Sequence, residues 1–389
     1  MRVAIDARKL TRIESGMGIH TLNLVRGLLD ADPGLELLLV RQGGRTKPRA
    51  DFASPRVEDV SVPFESDSPF TPLALARLLR RHRFDLFHSP FDLTPRGLVQ
   101  PLVVTVHDLN WIVDPRHNTH NPVARIFRGT YYRVAIRASM DRATRIIAVS
   151  LATRDAIAEH SPANVRKVRV IPNAFDPRRF AHLSAEEARG ALAAILGSDA
   201  GNPYVLTVGQ GTPYKNHVHA VQGFLRAFGG RPEYRLVLVR RDAESDPPFE
   251  RVLRTEAAGA QVRVLAHVEP RALSALYRGA RIVLHPSYYE GFGLPLLEGM
   301  AAGVPVVTSS VSSMPEVAGP AALLVEPSDP EAIAAALSSL ADDGALRGRL
   351  VAAGHARVAL FSVDAAARAT LALYREALAE GSRVAAADF

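Results

Sequence analysis

Cysteine is absent from the 389-residue sequence, so disulfide bridges and thiolate metal sites are both excluded. Tryptophan occurs once, at Trp111, and aromatic residues amount to 6% of the chain. Nucleic-acid binders commonly interleave aromatic and basic side chains so that bases can stack. That arrangement is missing, and no nucleic-acid partner is expected. No uncharged apolar run approaches the ~20 residues that span a bilayer. In the opening MRVAIDARKL, charges flank the short apolar run, which is not the pattern of a secretory leader. A soluble, cytoplasmic protein is expected on these grounds. Metal motifs are scarce too. Asp30 and Asp32 have the Asp-x-Asp spacing of a cation clamp, yet they close an amphipathic helical pattern just ahead of Pro33. Polar residues in that place stop helices, so neither a metal nor any other cofactor is expected.

What is present is an ordinary globular composition, 47% hydrophobic and 22% charged, on a chain long enough for two cores. The formal charge is +7, a balance that attracts nucleotide phosphates or acidic lipid headgroups. Arg77, Arg80, Arg81 and Arg83 lie in one helical stretch, and Arg125, Arg128, Arg133, Arg137, Arg142 and Arg145 punctuate another. They read either as solvated helix faces or as a surface in peripheral contact with an anionic membrane. In the second case each cation near the headgroups adds roughly 1 kcal/mol.

Short β-branched runs alternate with amphipathic helical patterns, the grammar of α/β domains with parallel sheets. MRVAID is a strand and GIHTLNLVRGLLDAD the helix after it, with Leu22, Val25, Leu28 and Leu29 as its apolar positions. LELLLV, DLFHSP, PLVVTVHD and RIIAVS read as buried strands, and VIPNAFD closes the first half, with Asn173 ending a strand. A weakly patterned stretch, Ser184 to Gly201, separates the halves. YVLTVGQ, YRLVLV, VRVLAHV, RIVLHPS, VPVVTS and ALLVEP are the strands of the second. Two doubly wound, Rossmann-like domains are expected, facing across a deep cleft with their strand ends toward one ligand. Gly16 and Gly18, in GMGIHT after the first strand, read as a phosphate loop, although the third glycine of the dinucleotide fingerprint is lacking.

The sharpest signal is HPSYYEGFGLPLLEGMAAGVPVVTS. Glu290 and Glu298 stand eight positions apart, the first in a glycine-rich turn and the second within a helix. Pro295 suits that helix's first turn and Gly303 its end. Amides around Phe292, Gly293 and Leu294 would face a phosphate at the helix start, with a dipole of about half a positive charge behind them. Gly291 and Gly293 allow close approach of a ligand to the backbone. Glu290 can then accept hydrogen bonds from hydroxyls carried by that phosphate, and Glu298 can hold a vicinal diol such as a ribose in two charge-assisted bonds. A phosphate flanked by two polyol binders describes a nucleotide sugar.

This segment resembles the E-x7-E motif of the retaining nucleotide-sugar glycosyltransferases of family 4 (group 1), which have the two-domain GT-B fold. VGQGTPYKN resembles that family's phosphate loop, placing Gly209, Gln210 and Lys215 at the nucleotide sugar. VTVHDLNWIVDP resembles the segment with its active-site histidine, here His107. RIIAVS, VIPNAFD and SSMPEVAG, the last with Ser313 and Glu316, also look like family segments, so the resemblance covers nearly the whole chain. It implies an acceptor domain over 1–185, a donor domain over 186–365, and a terminal helix, 366–389, packing back on the first. Its implied catalytic residues are His107, Lys215 and Glu290. Gln210 and Tyr214 occupy places where many relatives carry arginine, so a second cation is either missing or supplied elsewhere, as by Arg8 or Arg12. His20 stands where an aromatic residue is common.

The resemblance further implies metal-independent, retaining transfer of a hexose from GDP-mannose or a UDP-sugar to a saccharide or lipid-linked acceptor, with mannose leading. Glu290 would orient the donor sugar, and His107 would contact its hydroxyls. Acceptor contacts would come from TRIESGMG, SPFDLTPRG and DPRHNTHNP. A nucleotide-sugar epimerase or hydrolase on the same scaffold is an alternative. So is a non-catalytic nucleotide-sugar-binding subunit.

Overall fold

A computed structural model describes residues 1–10, 16–43, 52, 54–178, 183–241, 246–254 and 258–387. The chain divides into two compact units. One comprises Met1–Val113, Thr130–Phe175 and Phe361–Phe389, and the other Asp114–Gly129 and Asp176–Leu360. This differs from a single division at 185/186, because part of the first half belongs with the second. In that part His120 Nε2 lies 3.1 Å from the Asp246 carboxylate, and His117 stacks on Tyr288 with ring centroids 6.2 Å apart.

The first unit contains seven parallel strands: β1 (Arg2–Asp6), β2 (Glu36–Gln42), β3 (Val57–Val62), β4 (Leu86–Ser89), β5 (Leu102–Val106), β6 (Arg145–Ala148) and β7 (Val168–Val170), ordered β3-β2-β1-β4-β5-β6-β7. The edge strand β3 has no counterpart in the sequence reading. In its VEDVSV only Val60 and Val62 are buried, as suits a half-exposed edge, and no continuous apolar run is offered. Gly16 and Gly18 form the first turn of the helix Gly16–Ala31 rather than a loop ahead of it.

The second unit repeats the plan with β8 (Tyr204–Gln210), β9 (Arg235–Arg241), β10 (Val262–Leu265), β11 (Ile282–His285), β12 (Val306–Ser309) and β13 (Ala322–Val325). Their order is β10-β9-β8-β11-β12-β13. The stretch after Ser184 is a helix, Ala185–Leu196, opened by a reciprocal cap between Ser184 and Glu187. In both sheets the order reverses at one point, between β1 and β4 and between β8 and β11. Loops leaving the carboxyl ends of neighbouring strands diverge there, making the crevice in which such sheets bind ligands.

The carboxyl-terminal helix, Val363–Ala387, belongs to the first unit. Leu371, Leu373, Tyr374 and Ala377 are buried in the same core as Val3, Ile5 and Leu28. Tyr374 Oη lies 2.6 Å from His88 Nδ1, and Glu376 and Glu380 pair with Arg145. Gly344–Gly381 contains a window apolar enough to cross a bilayer by composition. A turn at Ala359–Phe361 breaks it, and its apolar face joins this core.

Candidate active site

The reversal between β8 and β11 brings together residues that are 75 positions apart in sequence. Lys215 closes the short helical turn Pro213–Lys215 beyond β8, and Glu290 lies in the loop beyond β11. Two bonds hold the loops in register: Tyr288 N–H donates to the Tyr214 carbonyl at 2.8 Å, and Asn216 Nδ2 donates to the Pro286 carbonyl at 2.9 Å. Asn216 adopts a left-handed backbone, φ 56°, as it starts the helix His217–Phe228. Gly209 lies underneath, where a Cβ would come within 3.2 Å of the Lys215 side chain. Gln210 is exposed at the end of β8.

The Lys215 ammonium donates to Glu290 Oε1 and sits 4.8 Å from the centre of the Tyr214 ring, a cation–π contact. Oε1 also accepts from His285 Nε2 and from the Ser287 hydroxyl, both at 2.9 Å. Ser312 clamps the Glu290 backbone at both polar atoms, accepting from its N–H at 3.2 Å and donating to its carbonyl at 2.7 Å. Ser313 donates to the same carbonyl at 2.9 Å. Burial alone would push the Glu290 carboxyl up. The Lys215 charge and the His285 hydrogen bond outweigh it and hold the pKa at about 2. Glu290 is therefore an ionised acceptor at neutral pH, unable to donate a proton.

Gly293, with φ 96°, turns the chain into the helix Leu294–Ala301, a backbone that favours glycine. Gly291 and Phe292 are buried and already have partners within the protein. Glu298 is buried, and its Oε2 accepts from the Tyr277 hydroxyl at 2.6 Å. That bond takes one of the roughly four acceptor positions of the carboxylate and helps fix its orientation. Glu316 lies in the following short helix, Met314–Ala318.

In the first unit His107 follows β5. Its Nε2 is 2.9 Å from the Pro90 carbonyl, which can only accept, so Nε2 carries the proton and Nδ1 the lone pair. Its backbone N–H donates to Asp92 Oδ1 at 3.2 Å, and its ring packs edge-on to His20 at 4.8 Å. Burial pushes His107 down. Burial also lowers His20 well below its ordinary value, and the neighbouring His107 and His88 add to this. His88, deeper still, is lowered to about 3 by burial and by His107. Asp92 moves the other way, to about 8, through burial and the adjacent Asp108 carboxylate. Asn173 is buried.

Of the two residues offered as substitute cations, Arg8 does not fit that role. Arg8 is buried, forms an ion pair with Asp6, and donates further to Glu65 O and Thr71 Oγ1 at 2.9 Å each. Arg12 lies outside the described residues. Arg240, near the donor loop, is paired with Asp246 at 2.6 Å. Sequence reading also passed over His285, Ser287, Ser312 and Tyr277. The HPS ahead of the motif could have pointed to the first two, whereas nothing local marks Tyr277. Among the described residues no group of three or more His, Asp or Glu side chains is arranged to hold a metal ion.

Comparison with known proteins agrees with this geometry. The family description Glycosyltransferase Family 4 matches residues 15–179, and Glycosyl transferases group 1 matches residues 189–357. The chain is 31% identical over 314 residues to O-antigen chain mannosyltransferase B of Escherichia coli, covering 78% of this chain and 77% of that protein. It is 27% identical to the MMP alpha-(1->4)-mannosyltransferase of Mycolicibacterium hassiacum, over 99% of this chain and 100% of that one. In structure it resembles Anabaena Alr3699/HepE, solved with UDP-glucose, with a TM-score of 0.71 at 18% identity over 96% of this chain and 99% of that one.

Proposed function

The chain belongs to the group 1 glycosyltransferases of family 4, and from that premise we propose that it moves a hexose, mannose first, from a nucleoside diphosphate sugar to a saccharide or lipid-linked acceptor. Transfer proceeds with retention of anomeric configuration and without a metal. The observation that carries this reading is the ionised Glu290 beside Lys215, one turn from a helix start. Lys215 and the amides at Gly293 and Leu294 neutralise the departing diphosphate, where one cation at ~4 Å contributes on the order of 4 kcal/mol. Glu290 holds sugar hydroxyls through its charge, and Glu298 accepts from the ribose. The His107 lone pair accepts a further sugar hydroxyl. The leaving phosphate takes the proton of the attacking acceptor hydroxyl, since an acid of pKa about 2 is a poor base at pH 7.

GDP-mannose is the leading donor, in line with the names of the two mannosyltransferase relatives. A UDP-sugar stands second, in line with HepE. Contact with an anionic membrane on its cytoplasmic face is also proposed. On the helix Pro122–Arg142, Val123, Ile126, Phe127 and Val134 are exposed at helical spacing beside Arg133 and Arg137. Arg142 and Arg145 drop out of that surface, being bonded to Thr94 and to Glu376 and Glu380.

The test is a screen of GDP-mannose and UDP-sugars for thermal stabilisation, with magnesium and with EDTA. Diphosphate release with and without saccharide and polyprenyl-linked acceptors accompanies it. Stabilisation and acceptor-dependent release that survive EDTA are expected. Release that needs no acceptor would indicate a hydrolase or epimerase, and loss of activity in EDTA would refute metal independence.

A further inference from the structure

The E-x7-E acids are the residues that meet the ligand, but an acid in an apolar crevice is useful only if it stays charged and points one way. The hydrogen bonds around Glu290 are lopsided. Among the described residues, the donors reaching its carboxylate, Lys215, His285 and Ser287, all end on Oε1. Oε2 accepts from none of the three. The donors differ in kind. Lys215 sits on a flexible stem at the end of a short turn, and its charge is what a diphosphate would draw away. His285 is the last residue of β11, 1% exposed, and paired across the sheet with Thr308. Its carbonyl accepts from the Thr308 hydroxyl at 2.8 Å. Ser287, fully buried, follows two residues later. A strand residue fixed through backbone and side chain moves far less than a lysine stem.

We infer that His285, assisted by Ser287, is a positioning residue that keeps Glu290 oriented and ionised when Lys215 turns from it to the diphosphate. The inference rests on the reading of Glu290 as the acceptor for sugar hydroxyls. His285 touches no ligand in this scheme. It donates through Nε2 to Oε1, which requires the proton on Nε2, so that Oε2 alone faces the sugar. The sugar is thus held through a single charged oxygen whose direction is set by the strand.

The sugar's own contribution to affinity reads this out without knowledge of the acceptor. It is the ratio of dissociation constants for GDP and GDP-mannose, and for UDP and UDP-glucose, measured by calorimetry between pH 4.5 and 8. Wild type should keep that ratio constant over the range. His285→Ala should lose about ten-fold of it at pH 7 and more toward pH 4.5, because Glu290 has lost a donor to its charged form. Binding of GDP or UDP itself should change less than three-fold. His285→Gln, whose amide nitrogen can reach Oε1, should restore most of the ratio and flatten its pH dependence. Ser287→Ala, which removes only a hydroxyl, should show the same pattern at two- to four-fold and serves if His285→Ala fails to fold. A ratio that stays at the wild-type value in Ser287→Ala and His285→Gln, and also in His285→Ala where it folds, would overturn the inference. So would a His285→Gln no better than alanine. Glu290→Gln separates the two levels: if it keeps the full ratio, the reading of the site itself fails.

Discussion

Lys215 and Glu290 form a nearly buried ion pair, each side chain 11% exposed, and that pairing makes a sharp prediction about removing either partner. Lys215→Ala leaves a buried carboxylate with His285 and Ser287 as its remaining donors. Breaking such a pair typically costs about 3–5 kcal/mol of stability. The depressed pKa of Glu290 stabilises the fold above the ordinary carboxylate range, and that stability is lost as pH falls toward 2. Without the lysine that acid-range contribution should shrink. Glu290→Gln should cost less, because the lysine stem can reach solvent. The double variant, with no uncompensated charge, should recover about half or more of the stability lost in Lys215→Ala, as neutral replacements of buried pairs do. Turnover should not recover. An ammonium contributing ~4 kcal/mol at the departing phosphate corresponds to about a thousand-fold in rate, and the double variant lacks it as well. Chemical denaturation at pH 7, with nucleoside diphosphate release from GDP-mannose or UDP-glucose, checks both halves. A Lys215→Ala protein within ten-fold of wild-type turnover, or a double variant that regains activity with stability, would refute the reasoning.

Tyr277→Phe removes the hydroxyl that holds Glu298 Oε2. Loss of a hydrogen bond to a charged group, ~1.5–3 kcal/mol, should weaken binding of the free nucleoside diphosphate about ten-fold while leaving the sugar's contribution unchanged; calorimetry checks this. Asp92, with its pKa raised to about 8, favours the fold most when protonated. Stability should therefore decline as pH rises from about 4 toward 8, and Asp92→Asn should flatten that slope in melts taken from pH 5 to 8.5. For the membrane surface, Ile126→Glu with Phe127→Glu should abolish flotation with phosphatidylglycerol vesicles without lowering the melting temperature, both side chains being exposed. Equal flotation of the variant would place the contact elsewhere or nowhere.

Local pattern carried a good deal of this protein. The apolar runs of β1, β2, β4, β5, β8, β9, β11 and β12 were legible because buried parallel strands are continuously apolar. The edge strand β3 was not, since half of it faces water. Glu290, Gly293 and the helix start were legible because a turn, a glycine and a proline fix their geometry within a few residues. Gly16 and Gly18 stand in the first turn of a helix, and the same locality misled at Arg8, whose charge is engaged by Asp6 two residues away.

By itself, then, the sequence determined the alternation of strands and helices and the glutamate pair with its spacing, all features written in runs of adjacent residues. Only the tertiary structure decided which groups meet those acids. The neighbouring of β8 and β11 sets Lys215 on Glu290, and the helix Pro270–Gly279 brings Tyr277 to Glu298. Strand order is a property of the whole packed sheet, settled by which apolar faces bury one another, and no local stretch of chain encodes it.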